Sequence, residues 1–431
     1  MSKKKTIKVE YLARVEGEGA FHLEIENEKV IKAHLKIFEP PRFFEAFLRG
    51  RDFREAPDIT ARICGICPVA YMMSSVHAME DVAGVTIPDD IKELRRLLYC
   101  GEWIESHMLH MIMLHAPDFL GFESAIAMAS KYKKRLQQGL FIKKVGNEIL
   151  SLMGAREIHP INIKLGGFYK IPSTTKIQQL KENCLKAQEE LIDLVKWMKG
   201  FNFPELTREY LFVSTFNQNE YPMNCGVIAT SHCEHISIDK YEEYFFENHV
   251  KYTNALQSSF KGKDAYLVGP MARFHLNYDQ LSVGAKQLAK DCKLEKKCLN
   301  PFKSLLVRAV EVFYAFDEAI RIINKVKTPP KNPSVEVRPK AGVGHGCTEA
   351  PRGMLWHKYE IDNNGIILNA KIVPPTSQNQ LMIEEDLKEY AQNNLHLSDE
   401  ELKWHLEQSI RNYDPCISCA THFLKLEVNR R

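Results

Sequence analysis

Two cysteine pairs lie at opposite ends of this chain, Cys64 and Cys67 in RICGICP and Cys416 and Cys419 in DPCISCATH. Four thiolates gathered at one point make a soft-metal site, because deprotonated sulfur prefers late, thiophilic metals to magnesium or calcium. Structural zinc pairs sit about 12–20 residues apart within one small module. Here the pairs are separated by 352 residues, so a shared metal would tie the whole fold to one site. A structural zinc site remains the plain alternative, and CGIC alone also fits a thioredoxin-like redox motif, which would need a βαβ context that is missing here.

The flanking residues carry more. Arg62 precedes the first pair and Gly65 lies inside it, while Asp414-Pro415 leads into the second and His422 follows it. RxCGxC near one end and DPCxxCxxH at the other resemble the paired signatures of the nickel-iron hydrogenase large, catalytic subunit. LARVEGEG is similar to that family's RxEGH element, with Arg14, Glu16 and Gly17 in place and Glu18 where histidine is common. PPRFFEAFLRGRD resembles the stretch that supplies a magnesium-ligating glutamate, here Glu45. HAPDFLG offers Asp118, IHPINIKLGG offers His159 with Gly166-Gly167, TEAPRG offers Pro351 and Arg352, and PPTSQN offers Thr376. These matches follow family order from residue 11 to 422. One departure stands at Tyr71, where the family usually has histidine; a phenol donates one hydrogen bond but does not protonate near neutral pH. The RICGICPVAY wording is closer to the soluble, multi-subunit, NAD(P)-linked enzymes of sulfhydrogenase type.

The resemblance implies reversible heterolytic cleavage of dihydrogen into protons and electrons. Cys64 and Cys416 would be terminal nickel ligands, and Cys67 and Cys419 would bridge nickel to an iron carrying carbon monoxide and cyanide. Cys416, or a base beside it, would accept the proton, since sulfur can take charge and proton alike, and Glu16, a partly buried carboxyl, would relay it. Arg352 would lie over the open position with Asp118 and Asp414 holding its guanidinium. Thr376 would hydrogen-bond a cyanide, beside Pro351. Glu45, His422 and the backbone carbonyl of Ile372 would hold a mostly hydrated magnesium. The expected partners are an iron-sulfur small subunit, a flavin-containing NAD(P) diaphorase module, and a maturation endopeptidase that removes FLKLEVNRR after His422. A membrane-linked, ion-pumping hydrogenase shares both signatures, and a non-catalytic zinc-binding or respiratory-complex scaffold is the alternative from another class.

Composition constrains the rest. The chain has 431 residues, 45% of them hydrophobic, enough for a large core. With 58 basic and 55 acidic residues, a net charge of +3 is near balance and does not point to nucleic acid. MSKKK has no apolar run behind it, so no secretory signal is expected, and no stretch of about 18 uncharged apolar residues predicts a membrane span. Eleven cysteines, an odd number, read as reduced thiols in the cytoplasm. Outside the two pairs their spacing suits no iron-sulfur cluster, and no GxGxxG follows a strand, so electrons would leave through a partner.

Alternation from Ile7 to Phe38 predicts strands with a turn at Glu26-Asn27-Glu28. Spacing of three to four predicts helices over Ile91–His115, Lys176–Lys199, Lys303–Lys325 and Ile383–Ile410. Asp362-Asn363-Asn364-Gly365 predicts a turn between two strands in 353–373. The expected fold is α+β and mainly helical: an N-terminal β region (1–60), a helical core with a central bundle (61–330) and a C-terminal region with a small sheet (331–431), in one compact unit.

Overall fold

The computed structural model describes residues 4–328 and 330–421. Three antiparallel strands, β1 (Lys4–Val9), β2 (Gly19–Glu26) and β3 (Lys29–Ile37), open the chain. Asn27 and Glu28 both take positive φ (50° and 60°), the two-residue turn whose twist suits a tight hairpin. The alternation of that segment therefore reported real strands.

Helix α1 (Pro68–Ala83) begins directly after Cys67, with proline in its first turn, and stops at Gly84 in the left-handed region. Its exposed N-terminal amides are met from outside: both carboxylate oxygens of Glu102 accept, from Val69 N (2.6 Å) and Ala70 N (3.1 Å). Glu102 belongs to α2 (Asp89–Met108), which continues into a π-helical turn over Leu109–His115. Then come α3 (Ala125–Gly154), bent at Tyr132, α4 (Thr174–Met198) and α5 (Ser304–Lys325). These long helices share one continuous core with the N-terminal sheet, in which Trp103, Leu97, Ile149, Leu191 and Phe316 are fully buried.

Between α4 and α5 the chain forms short strands, among them Val213–Phe216, Val227–Thr230, Phe245–His249 and Leu256–Phe260. A further three-stranded sheet follows, β4 (Gly342–Ala350), β5 (Gly353–Ile361) and β6 (Ile367–Val373), with the expected turn between the last two. The helix predicted over Ile383–Ile410 is two helices, α6 (Pro375–Asn393) and α7 (Asp399–Arg411). The break is set at Ser398, whose hydroxyl and backbone exchange hydrogen bonds with Glu401 in a capping box. Among the described residues no helix is long and apolar enough to cross a membrane.

Candidate metal centre

The loop after a short helical turn, Ala61–Ile63, brings Cys64 and Cys67 to the start of α1. From the other end, α7 stops at Arg411 and the DPCISC segment turns back, with Asp414 at φ 51°. All four sulfurs are buried and lie within 4.8 Å of one another. Cys64 and Cys416 are 3.4 Å apart, Cys67 and Cys419 3.9 Å, and Cys416 and Cys419 2.6 Å. Cys64 Sγ accepts the N–H groups of Ile66 and Cys67, each at 3.3 Å. Hydrogen bonds from Cys416, Cys419 and Cys67 push the Cys64 thiol well down, whereas burial pushes Cys416 well up. A cluster of this kind, all sulfur and buried, fits a soft metal pair and offers no oxygen set for magnesium.

Glu16 reaches this centre because its own segment pairs with DPCISC. Ile417 N donates to Glu16 O at 2.9 Å, and the carboxyl oxygen Oε2 takes the Ser418 N–H at 3.0 Å while lying 3.1 Å from Cys416 Sγ. The close pass depends on Gly17, at φ 87°: a Cβ there would sit 2.7 Å from that of Ile417. Thr376, at the start of α6, accepts the Cys416 N–H at 3.0 Å through its hydroxyl oxygen.

Arg352 is 3% exposed and is held by Asp414, through Nε to its carbonyl (2.6 Å) and Nη2 to Oδ1 (3.1 Å), with Nη1 buried and unpartnered. Burial opposes its charge, but Asp414 and the sulfurs of Cys416, Cys67 and Cys64 outweigh that and hold the guanidinium firmly protonated. Pro351 is placed from below: its carbonyl accepts from Arg273 Nη2 at 2.9 Å.

Asp118 corrects the expectation that it would help hold Arg352. Its two oxygens are taken by Arg411 (2.8 Å each), by Arg14 and by His115 Nδ1 (3.0 Å). Despite burial, the hydrogen bond from His115 and the charge of Arg411 keep this carboxyl well below its usual range. Asp118 is thus a clamp joining the RVEG segment, the end of the π-helical turn and the residues leading into DPCISC. The reason is directional: on the turn after His115 the side chain faces α7, not the 351–352 loop.

Tyr71 is fully buried beside the centre. Burial, then the charge of Cys419, Cys67 and Cys416, pushes its phenol well up, so it stays a protonated hydroxyl. Glu45 lies farther out; its Oε1 accepts the Ile372 N–H at 2.8 Å, and burial pushes its carboxyl up to about 7. His422, expected to share an ion with it, lies outside the described residues. His159, singled out in the sequence, meets the Ala61 carbonyl through Nδ1 (2.8 Å) and so braces the turn before Cys64.

Sequence reasoning missed Glu102, Glu105, Arg273, Glu311 and Arg411. Arg273 and Glu311 form a fully buried pair (2.7 Å) that also engages His107 and Glu349. Lone charged residues on apolar helices give no local signal for such partners; only a charge repeatedly placed on a core face, as at Glu102 and Glu105, marks them.

Comparison with known proteins agrees with this geometry. A family model described as nickel-dependent hydrogenase matches residues 42–143 and 229–422. The alpha chain of sulfhydrogenase 1 from Pyrococcus furiosus is 34% identical over 97% of this chain and 98% of its own. That of sulfhydrogenase 2 from the same organism is 34% identical over 97% of this chain and 100% of its own. A solved NAD+-reducing NiFe hydrogenase in the H2-reduced state superposes with a TM-score of 0.87 at 23% identity, over 97% of this chain and 99% of that one. With its four buried cysteines, its matching fold and these relatives, the chain belongs to the nickel-dependent hydrogenase family, among its catalytic large subunits.

Proposed function

We propose that the four sulfurs would hold nickel and iron together, Cys64 and Cys416 as terminal ligands and Cys67 and Cys419 shared between the metals, with an iron that would carry carbon monoxide and cyanide. The convergence of all four buried sulfurs within 4.8 Å carries this reading. Such a centre, when bound, supplies the heterolytic splitting of dihydrogen; the chain's own residues handle the proton and shape the space. Cys416 Sγ takes the proton and Glu16 Oε2, at 3.1 Å, receives it. Arg352 presents its unpartnered Nη1 as a fixed positive charge over the centre, oriented by Asp414. Asp118 keeps the two signature segments in register. Thr376 fixes the Cys416 backbone, leaving its hydroxyl proton for a cyanide, beside Pro351.

Glu45, with Ile372 and His422, would bind magnesium; nearby Glu247, whose carboxyl burial also pushes up to about 7, is raised further by the charge of Glu45. Electrons would leave through an iron-sulfur small subunit, onward to a flavin and NAD(P) module. Exposed Tyr11, Phe38, Phe43 and Phe47, on the segments flanking Glu16 and Glu45, offer an apolar landing for that partner. A maturation endopeptidase would cut after His422, in a cytoplasmic assembly.

Glu16→Gln tests the proton step. Glutamine keeps the shape and can still accept from Ser418 N, so nickel content should be unchanged while dihydrogen-dependent dye reduction falls about a hundredfold. Unchanged turnover would remove Glu16 from the path.

A further inference from the structure

Helix α2 carries two acids toward the centre, one turn apart and so on neighbouring positions of its surface. Glu102 is spent on holding α1: both its oxygens accept backbone N–H groups. Glu105 is not. Its Oε1 meets Lys143 Nζ of α3 at 2.9 Å, while Oε2 is buried with no partner. The Glu105 and Lys143 side chains are 13% and 21% exposed, so this pair stands at the edge of solvent. Inward, Glu105 is near enough to the centre to feel the charges of Arg352 and Cys64. Arg352 Nη1 is likewise buried without a partner. The approach of α3 is unusually close here, since a Cβ on Gly146 would lie 2.8 Å from Glu105 N.

An unsatisfied buried carboxylate oxygen is costly unless it has a use or a bridging water. We infer that Glu105 is a second proton outlet of the centre, taking a proton at Oε2 and releasing it to solvent beside Lys143, in parallel with Glu16. The inference rests on the reading of Glu16 as the main relay. The step moves a proton only. The carboxylate becomes the neutral acid, its ion pair with Lys143 loosens, and water at the rim takes the proton, restoring the carboxylate. Burial raises the Glu105 carboxyl, against the pull of Lys143 and Arg352, which brings the neutral form within reach.

The test uses the assembled, metal-loaded enzyme in four forms: unaltered, Glu16→Gln, Glu105→Gln and the double variant, each checked for nickel content. Two parallel outlets predict that Glu105→Gln alone slows turnover only by the few percent that this route carries while Glu16 is intact, whereas in the Glu16→Gln background it removes a further tenfold or more of the residual rate. Glu105→Asp should restore part of that residual. A double variant equal to Glu16→Gln overturns the outlet. Glu16→Gln equal to the unaltered enzyme overturns the Glu16 reading instead, and Glu105→Gln then decides alone, a tenfold loss supporting the outlet and no loss refuting it. A second readout needs no turnover: infrared difference spectra across a pH titration of the assembled enzyme should show a protonated-carboxyl band, shifted in D2O, that Glu105→Gln removes. A spectrum unchanged by the substitution contradicts the proposal.

Discussion

Replacing Cys416 by serine yields a folded chain that retains almost no nickel and loses dihydrogen-dependent dye reduction by about a thousandfold or more. Serine is nearly the same size, so the buried segment between Thr376 and Ile417 keeps its backbone bonds. The chemistry is what changes. A hydroxyl at that point is a hard, weakly acidic donor among three sulfurs, and the metal loses one quarter of its soft ligand set. Glu16 Oε2 also loses the sulfur at 3.1 Å from which it receives a proton. Metal analysis and dye reduction on the same preparation check both effects. Retained turnover with serine at 416 would contradict the assigned proton acceptor.

Asp118→Ala destabilises the protein by about 3–5 kcal/mol in denaturant unfolding and lowers its nickel loading. Two guanidiniums depend on this one carboxylate, Arg411 at 2.8 Å and Arg14, whose side chains are 1% and 10% exposed. Removing it takes the ion-pair partner from the mostly buried Arg14 and leaves Arg411 with only the longer ion pair to Glu407 (3.4 Å), which costs more than the lost contacts themselves. Both cations lead into the site, Arg14 two residues before Glu16 and Arg411 three before Asp414. Loss of register there should reach the sulfurs. Asp118→Asn, which keeps the size and one acceptor, should fall between the two. A loss under about 1 kcal/mol with full nickel would show that Asp118 does not join these segments as described.

The sequence made the centre legible because its chemistry is written in residue types. Four cysteines with their flanking Arg62, Asp414 and Pro415 named both the metal class and the closure of the chain on itself. Hairpins at Asn27-Glu28 and Asp362–Gly365 were legible for a similar reason, since turn residues act locally. The strand Gly342–Ala350 was not. Its Gly344 and Gly346 replace the usual apolar alternation because the strand lies flat on α1, where a Cβ would come 2.0 and 2.1 Å from the carbonyls of Ala78 and Ser74. The long helix α3 escaped notice because its apolar residues are spread around its surface and it bends at Tyr132. The break before α7 was written in Ser398 and Glu401, but the helical periodicity on either side masked it. Asp118 shows the deeper difficulty. A carboxylate in a recognised motif indicates that it has a charged partner, while which of Arg14, Arg352 or Arg411 it meets depends on helix direction, and only the folded chain sets that.

Metal analysis of the matured protein, purified with its partners, tests the joining of both chain ends around one centre most directly. The account predicts nickel and iron in near-equal amounts, both lost when either cysteine pair is removed. Zinc alone, or metal that survives loss of the Cys416 and Cys419 pair, would contradict it.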